Sequence, residues 1–496
     1  MDAQPWILAA AGLLIAGVLA SKTSSRFGVP SRLLFLVLGM LAGSDGIVGI
    51  EFDDFELARS FGIIALAYIL FSGGLGTRYA DIRPVLGPGV ALASVGVVIT
   101  AGLLGGVASV LLDLPIEEGL LLGAVIASTD AAAVFSILRS RGVRINERLG
   151  SMLELESGSN DPAAVFLTVA IITVITEGET DPIQIVGSFV LEMGLGAVAG
   201  YLLARGAVVT INRLNLDYDG LYPVMTFGFV LLTLEGVTWM GGSGFLATYV
   251  AGVTLAHHDY LHKRSLIRFH DAIAWLMQIS VFVLLGLLVY PSRLADVVIP
   301  ALATAAVLMF IARPIAVLLT LLPFRAPLAD IRFVSWVGLR GATPIILATF
   351  PVAAGVPDAD RLFDVVFFVV LASVLVQGTT IPLAASRLGL ASPTSKAART
   401  ASFDTVITGD EGPQLHEIMV EPHASAIGRP LVDLALPHGV LIVLVRRGPT
   451  SFIPQGGTVI ETDDQLLVAA DHEHQEGLEA LFATPVDDTA EGSEAT

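Results

Sequence analysis

The sequence of 496 residues contains no cysteine, which excludes disulfides and thiolate metal sites. Charge is scarce as well. Asp, Glu, Lys and Arg together make up 15% of the chain against 54% hydrophobic residues, and the mean hydropathy is +0.77. A chain this poor in charge cannot hide its apolar surface inside one water-soluble core, so it reads as a membrane protein. The net charge of −19 argues against a nucleic-acid partner and against a polybasic lipid anchor.

Apolar runs of spanning length begin near Pro5, Leu33, Ser60, Pro84, Gly119, Ser151, Gln184, Leu221, Gly242, Asp271, Val297, Ile331 and Phe363, and the last ends near Arg387. They predict an all-α polytopic bundle of about thirteen transmembrane helices, with Leu33 to Gly43 and Gly242 to His257 the least regular. The first run carries its positive charges after it rather than before it, so it is expected to be a retained helix, not a leader. One set of alternate loops collects Lys22, Arg26, Arg32, Arg78, Arg83, Arg139, Arg141, Arg144, Arg148, Arg213, Lys263, Arg264, Arg268, Arg325 and Arg332, while the other holds only Arg59, Arg293 and Arg361. By the positive-inside rule this puts the N-terminus outside and the C-terminus in the cytoplasm of a cell-membrane protein.

Past Arg387 the composition changes. The domains expected are a transmembrane unit at 1–388, a polar linker at 389–402, a small α+β cytoplasmic domain at 403–486 and a disordered acidic tail at 487–496. From Ala401 onward there are 17 Asp plus Glu against three arginines, so most of the net negative charge lies here.

Ionisable groups at membrane depth are costly and demand a reason. They are Asp130 in VIASTDAAAVF, Glu154, Glu156 and Asp161 in LELESGSNDPAAVF, Glu192, Arg313 in FIARPIAV and Arg340 in WVGLRGATPIIL. Asp161 lies about 15 Å into its helix and Asp130 about 16 Å into its own, both near the middle of a bilayer core of roughly 30 Å. Ser157 and Asp161 share a helix face, whereas Glu156 points about 140° away from Asp161. The economical reading pairs Glu156 with a buried arginine and leaves Asp161 facing a cavity with Ser157, Thr129 and Asp130. Burial favours the neutral form of a carboxyl group and brings proton exchange towards cellular pH. An oxygen cluster of carboxylate, hydroxyl and carbonyl groups also suits a hard cation such as Na⁺ or K⁺. The helix-breaking residues fit the same picture: Gly338, Gly341 and Pro344 surround Arg340, and Ser128-Thr129-Asp130 interrupts the fifth run. Two broken helices crossing at the midplane, in halves of opposite topology, mark inverted-repeat secondary transporters.

ESGSND (156–161), STD (128–130), ARP (312–314) and GLRGA (338–342) resemble the first family of monovalent cation:proton antiporters. FSGGLGTRYADIRPVLGPGVALAS and SWVGLRGATPIILATFP are similar to its bacterial potassium/proton subgroup, whose members carry a TrkA-C domain, and the segment from LHEIMVEPHASAIGRP to EALF resembles that domain. The resemblance implies a homodimer of thirteen-helix subunits moving by an elevator-like step, without a cofactor. Asp161 would alternate between proton and cation, with Asn160 holding the broken helices together. Thr129, Asp130 and Ser157 would complete the cation site, and Glu156 and Arg340 would form a structural ion pair. Arg313 occupies the position of a titratable lysine in electrogenic relatives; because arginine keeps its proton, one-for-one exchange is expected. The TrkA-C-like segment would bind a small regulatory ligand.

Potassium and sodium remain alternatives for the cargo. Two further readings rank lower. An intramembrane aspartyl protease lacks its Gly-x-Gly-Asp stretch here, and a TrkA-C-gated channel lacks a filter of the TVGYG kind. Glu192 and Glu235 are expected to be remote from the pathway, and His257, His258, His262 and His270 to form a solvated loop cluster.

Overall fold

The computed structural model describes residues 3–27, 31–178, 181–214, 216, 218–393, 414–422, 424–434, 436, 439–448, 450–470 and 482. The chain divides into two compact units, Met1–Ser392 and Pro393–Thr496. Most of the linker expected at 389–402, and the tail at 487–496, lie outside the described residues.

The first unit is built from helices. They are α1 (Ala3–Phe27), α2 (Ser31–Ala42), α3 (Phe55–Leu75), α4 (Tyr79–Ile82), α5 (Leu86–Ala91), α6 (Val97–Leu112), α7 (Ile116–Ile126), α8 (Ala131–Ser140) and α9 (Glu147–Glu177) in the first part. There follow α10 (Pro182–Arg213), α11 (Leu221–Trp239), α12 (Gly244–His257), α13 (Lys263–Leu287), α14 (Pro291–Val307), α15 (Arg313–Leu321), α16 (Leu328–Trp336), α17 (Ala342–Ala353) and α18 (Ala359–Arg387). Among the described residues eight helical stretches are long and apolar enough to cross a membrane, or nine if α7 and α8, bent by 44°, form one broken span. Four shorter apolar helices accompany them. Length and composition alone therefore do not establish the thirteen spans expected.

Close approach of backbones sets the helix pairs that matter for the site. A Cβ added at Gly39 would lie 2.2 Å from the Val283 carbonyl oxygen, and one at Gly286 would lie 2.4 Å from that of Leu36. Bare glycines thus let α2 and α13 touch along their backbones, and this fixes where Arg32 and Gln278 stand. The long α9 carries Pro162 inside it; proline has no N–H to offer the preceding turn, so the helix is loosened beside Asn160 and Asp161.

The described part of the second unit is a four-stranded antiparallel sheet in the order 414–419, 465–470, 441–447, 450–452. Strand Gln465–Ala470 alternates between partly and fully buried residues, placing Leu466, Val468 and Ala470 in a core with Val420, Val445 and Ile460. Arg447 closes one end by binding Asp464, whose side chain is fully buried, and Glu461.

Candidate functional site

Both expected breaks are present and they meet. The first runs from Ala127 to Asp130 between α7 and α8, and the second from Val337 to Gly341 between α16 and α17. The Asp130 N–H donates to the Leu339 carbonyl at 2.8 Å, so the two unwound segments share a backbone hydrogen bond. Asp130 is extended (φ −120°, ψ 90°) and caps α8 by accepting from the Ala133 N–H at 2.9 Å. This is the ordinary use of aspartate at a helix start. A Cβ at Gly341 would lie 2.3 Å from Asp130 Oδ2, so only glycine fits there. Pro344 falls in the first turn of α17, where a missing N–H leaves no helical bond unmade.

Arg340 is fully buried and donates from Nη1 to the carbonyls of Ala127 (3.0 Å) and Ser128 (2.6 Å). A cation at the C-terminal end of α7 offsets the partial negative charge of the carbonyls left unbonded by the break. Its own backbone N–H donates to Ser373 Oγ at 3.2 Å, Ser373 donates to Gln377 Oε1, and Gln377 Nε2 donates to the Trp336 carbonyl at 2.8 Å. The second break is thus braced by α18.

From α9, Ser157 Oγ donates to the Thr129 carbonyl at 3.0 Å and accepts from the Ala131 N–H at 3.1 Å, while Asn160 Nδ2 donates to Thr129 Oγ1 at 2.7 Å. Ser157 and Asn160 pin α9 to the first break. Asp161, 8% exposed, faces a cavity of about 410 Å³ with Ser128, Thr129, Asp130, Ser157 and Thr343. Asp161 Oδ1, Asn160 Oδ1 and Ser128 Oγ are buried and make no well-aligned hydrogen bond, although the Ser128 and Thr343 hydroxyls stand close to the Asp161 carboxylate. A cluster of unsatisfied oxygen acceptors beside a cavity is what a desolvated cation or a proton would satisfy.

The sequence-based pairing of Glu156 with Arg340 needs correction. Glu156 Oε1 lies 2.6 Å from Arg313 Nη1, with the side chains 1% and 3% exposed. The reason is positional. The second break turns the Arg340 guanidinium towards the orphan carbonyls of the first, whereas Arg313, just after the π-turn Leu308–Ala312, reaches α9 directly. The histidine grouping is also revised: His270 is 2% exposed within α13, with Nε2 3.0 Å from Thr226 Oγ1, rather than in a solvated loop.

Several contributors escaped the sequence reading. Arg32, assigned there to a cytoplasmic loop, lies in α2 and forms an ion pair with Asp130. Thr343, Gln278, Ser373 and Gln377 are neutral residues in apolar runs; the only signal for them was a polar atom at membrane depth.

Comparison with known proteins bears on what this crossing belongs to. The family model for the transmembrane sodium/hydrogen exchanger matches residues 10–387, and that for the TrkA-C domain matches 415–483. The chain belongs to the sodium/hydrogen exchanger family. This exchanger is 40% identical over 97% of its length to the K(+)/H(+) antiporter NhaP2 of Shewanella baltica, covering 84% of that protein. It is 40% identical over 93% of its length to the K(+)/H(+) antiporter NhaP of Alkalimonas amylolytica, covering 80% of it. Among solved structures, the sodium proton antiporter MjNhaP1 from Methanocaldococcus jannaschii at pH 8 matches with a TM-score of 0.69 at 24% identity, over 78% of this chain and 99% of that one. The exchanger is thus a multi-pass transporter and not an enzyme, with the fold of that structure in its membrane unit.

Proposed function

We propose that this exchanger is a potassium/proton antiporter in which Asp161 alternately holds a proton and the cation. The observation that carries the reading is Asp161 itself: a carboxylate on α9 whose Oδ1 is buried and makes no well-aligned hydrogen bond, at the edge of a cavity where two broken helices cross. A carboxylate without a bonded counter-charge in low dielectric is stable only when neutralised. A proton and a cation can each do this, and one excludes the other, so inward movement of one obliges outward movement of the other. Ser157, Thr129, Asp130 and Asn160 surround the site, and the backbone carbonyl of Thr129 adds a hard oxygen. Arg313 and Arg340 keep their charges throughout the cycle, which favours one cation per proton.

Potassium as the cargo is supported by two relatives 40% identical over 97% and 93% of this chain, both named as potassium/proton antiporters. A sodium reading is favoured by the 27% identity over 70% of the chain to Na(+)/H(+) antiporter 1 of Methanocaldococcus jannaschii. The functional unit in this proposal is a homodimer in the cell membrane, N-terminus outside and C-terminus cytoplasmic, contributing to pH homeostasis. The TrkA-C match supports a small-molecule regulatory ligand at the second unit.

The test is dequenching of a pH dye in everted vesicles on addition of KCl, NaCl or choline chloride. Potassium-driven dequenching that Asp161→Asn abolishes is expected. Dequenching by sodium alone would move the assignment to sodium, and an active Asp161→Asn protein would refute the shared site.

A further inference from the structure

Asp130 lines the cavity with Asp161, yet its carboxylate is already engaged. Arg32 Nη1 from α2 forms an ion pair with Asp130 Oδ2, and the two side chains are 12% and 18% exposed. Gln278 on α13 holds the other side of the guanidinium. With its carboxamide oxygen turned towards α2, it accepts from Arg32 Nε and Nη2, both at 2.8 Å; the opposite orientation would set NH₂ donors against guanidinium donors. Arg32, Gln278, Asp130 and Asp161 line one cavity, and the ion pair bridges it from the α2–α13 pair to the first break.

A guanidinium fixed by two bonds from behind is not a loose surface charge. It presents a monovalent cation to the carboxylate that, in the proposed antiport reading, helps bind the transported one. We propose that Arg32 is a tethered competitor of the transported cation: its guanidinium occupies Asp130 in the empty site and must yield it for the cargo to bind with full coordination. Arg32 is then a specificity-determining and affinity-setting residue, and Gln278 positions it. The inference rests on the antiport reading above, and it makes a demand that a merely structural ion pair does not. Removing the competitor tightens cation binding.

The experiment is a KCl titration of dequenching in everted vesicles for wild type, Arg32→Gln, Arg32→Lys and Gln278→Glu. A thermal-stability titration of the purified full-length proteins with KCl runs in parallel and needs no transport. Arg32→Gln is expected to lower the half-saturating potassium concentration about tenfold in both readouts, the size of a typical coupling between linked ligands. Arg32→Lys keeps the competing charge but loses the two bonds to Gln278, so its half-saturation falls between wild type and Arg32→Gln. In Gln278→Glu the new carboxylate draws the guanidinium off Asp130, so the same tightening appears with the charge retained; this variant also serves if Arg32→Gln does not fold. In an Asp130→Asn background, Arg32→Gln gives no further tightening. Half-saturation that is unchanged or raised in Arg32→Gln and Gln278→Glu, with only the maximal rate reduced, overturns the inference while antiport stands. A wild-type protein that neither dequenches nor is stabilised with any cation overturns the antiport reading and this inference together.

Discussion

Glu156 offers the sharpest energetic test, because it has two arginines within reach and the structure bonds it to one. Its side chain is 1% exposed and that of Arg313 3% exposed, so neither charge has water to fall back on. Breaking a buried pair by removing one partner costs about 3–5 kcal/mol, chiefly because the survivor is left desolvated. Arg340 is near enough to interact with both Arg313 and Glu156. It partly compensates a Glu156 orphaned by Arg313→Met, which places that variant at the lower end, about 3 kcal/mol. At roughly 2 °C per kcal/mol for a long chain, this is a fall of roughly 6 °C in melting midpoint. Replacing both partners in Glu156→Leu/Arg313→Met removes the uncompensated charge and recovers most of the loss. Arg340→Met destabilises for a different reason, since it strips donors from the Ala127 and Ser128 carbonyls. Its coupling to Glu156→Leu should therefore be smaller than that of Arg313→Met, though not zero, because Arg340 also feels the Glu156 charge. The assay is a pair of double-mutant cycles read by size-exclusion thermal melts of the full chain in detergent. Stronger coupling of Glu156 to Arg340 than to Arg313 would refute the pairing described here.

Two further outcomes follow from the geometry. Gly341→Ala puts a methyl group 2.3 Å from Asp130 Oδ2, and is expected to cost about 1–3 kcal/mol by overpacking and to abolish antiport; wild-type rates in the vesicle assay would show that the crossing can open there. Arg447→Leu leaves Asp464 buried without its cation; with the arginine side chain 34% exposed the cost is discounted to about 2 kcal/mol, to be seen as faster proteolysis within the second unit of the full chain while the membrane unit stays intact.

How much of this was legible in the sequence depended on the kind of residue. Asp130, Asp161, Glu156, Arg313 and Arg340 were conspicuous because a charge inside an apolar run has few innocent explanations. The breaks were marked by Ser-Thr-Asp and by glycines around Arg340, and both lie where those residues suggested. What could not be read was direction. Helical spacing separates Glu156 from Asp161 but says nothing about which of two buried arginines turns towards it, because that depends on how a broken segment points its side chain. Arg32 was misread for a related cause: near a span end, a loop arginine and one that enters the cavity have the same sequence surroundings. Neutral braces such as Ser373 and Gln377 are written in residue types that also occur at membrane depth without a task.

The crossing also explains why Asp161, rather than Asp130, is the group left available. Breaking two helices at one level creates half-helix ends whose partial charges must be met inside the bilayer. Arg340 meets the carbonyl end of α7. Asp130 caps the N-terminus of α8 and lies against Gly341, where α17 begins. Gln377 and the Asp130 N–H take the Trp336 and Leu339 carbonyls at the second break. Each of these groups is tied to the unwound backbone, Asp130 through the Oδ1 cap that leaves only Oδ2 to exchange Arg32 for cargo, and a group so tied cannot be emptied outright in every cycle without loosening the fold. Asp161 stands on α9, a helix that continues through its own level, and owes nothing to a helix end. A proton or a cation can therefore leave it at the cost of that carboxylate alone, and this separates a residue that carries cargo from residues that hold the place where cargo is carried.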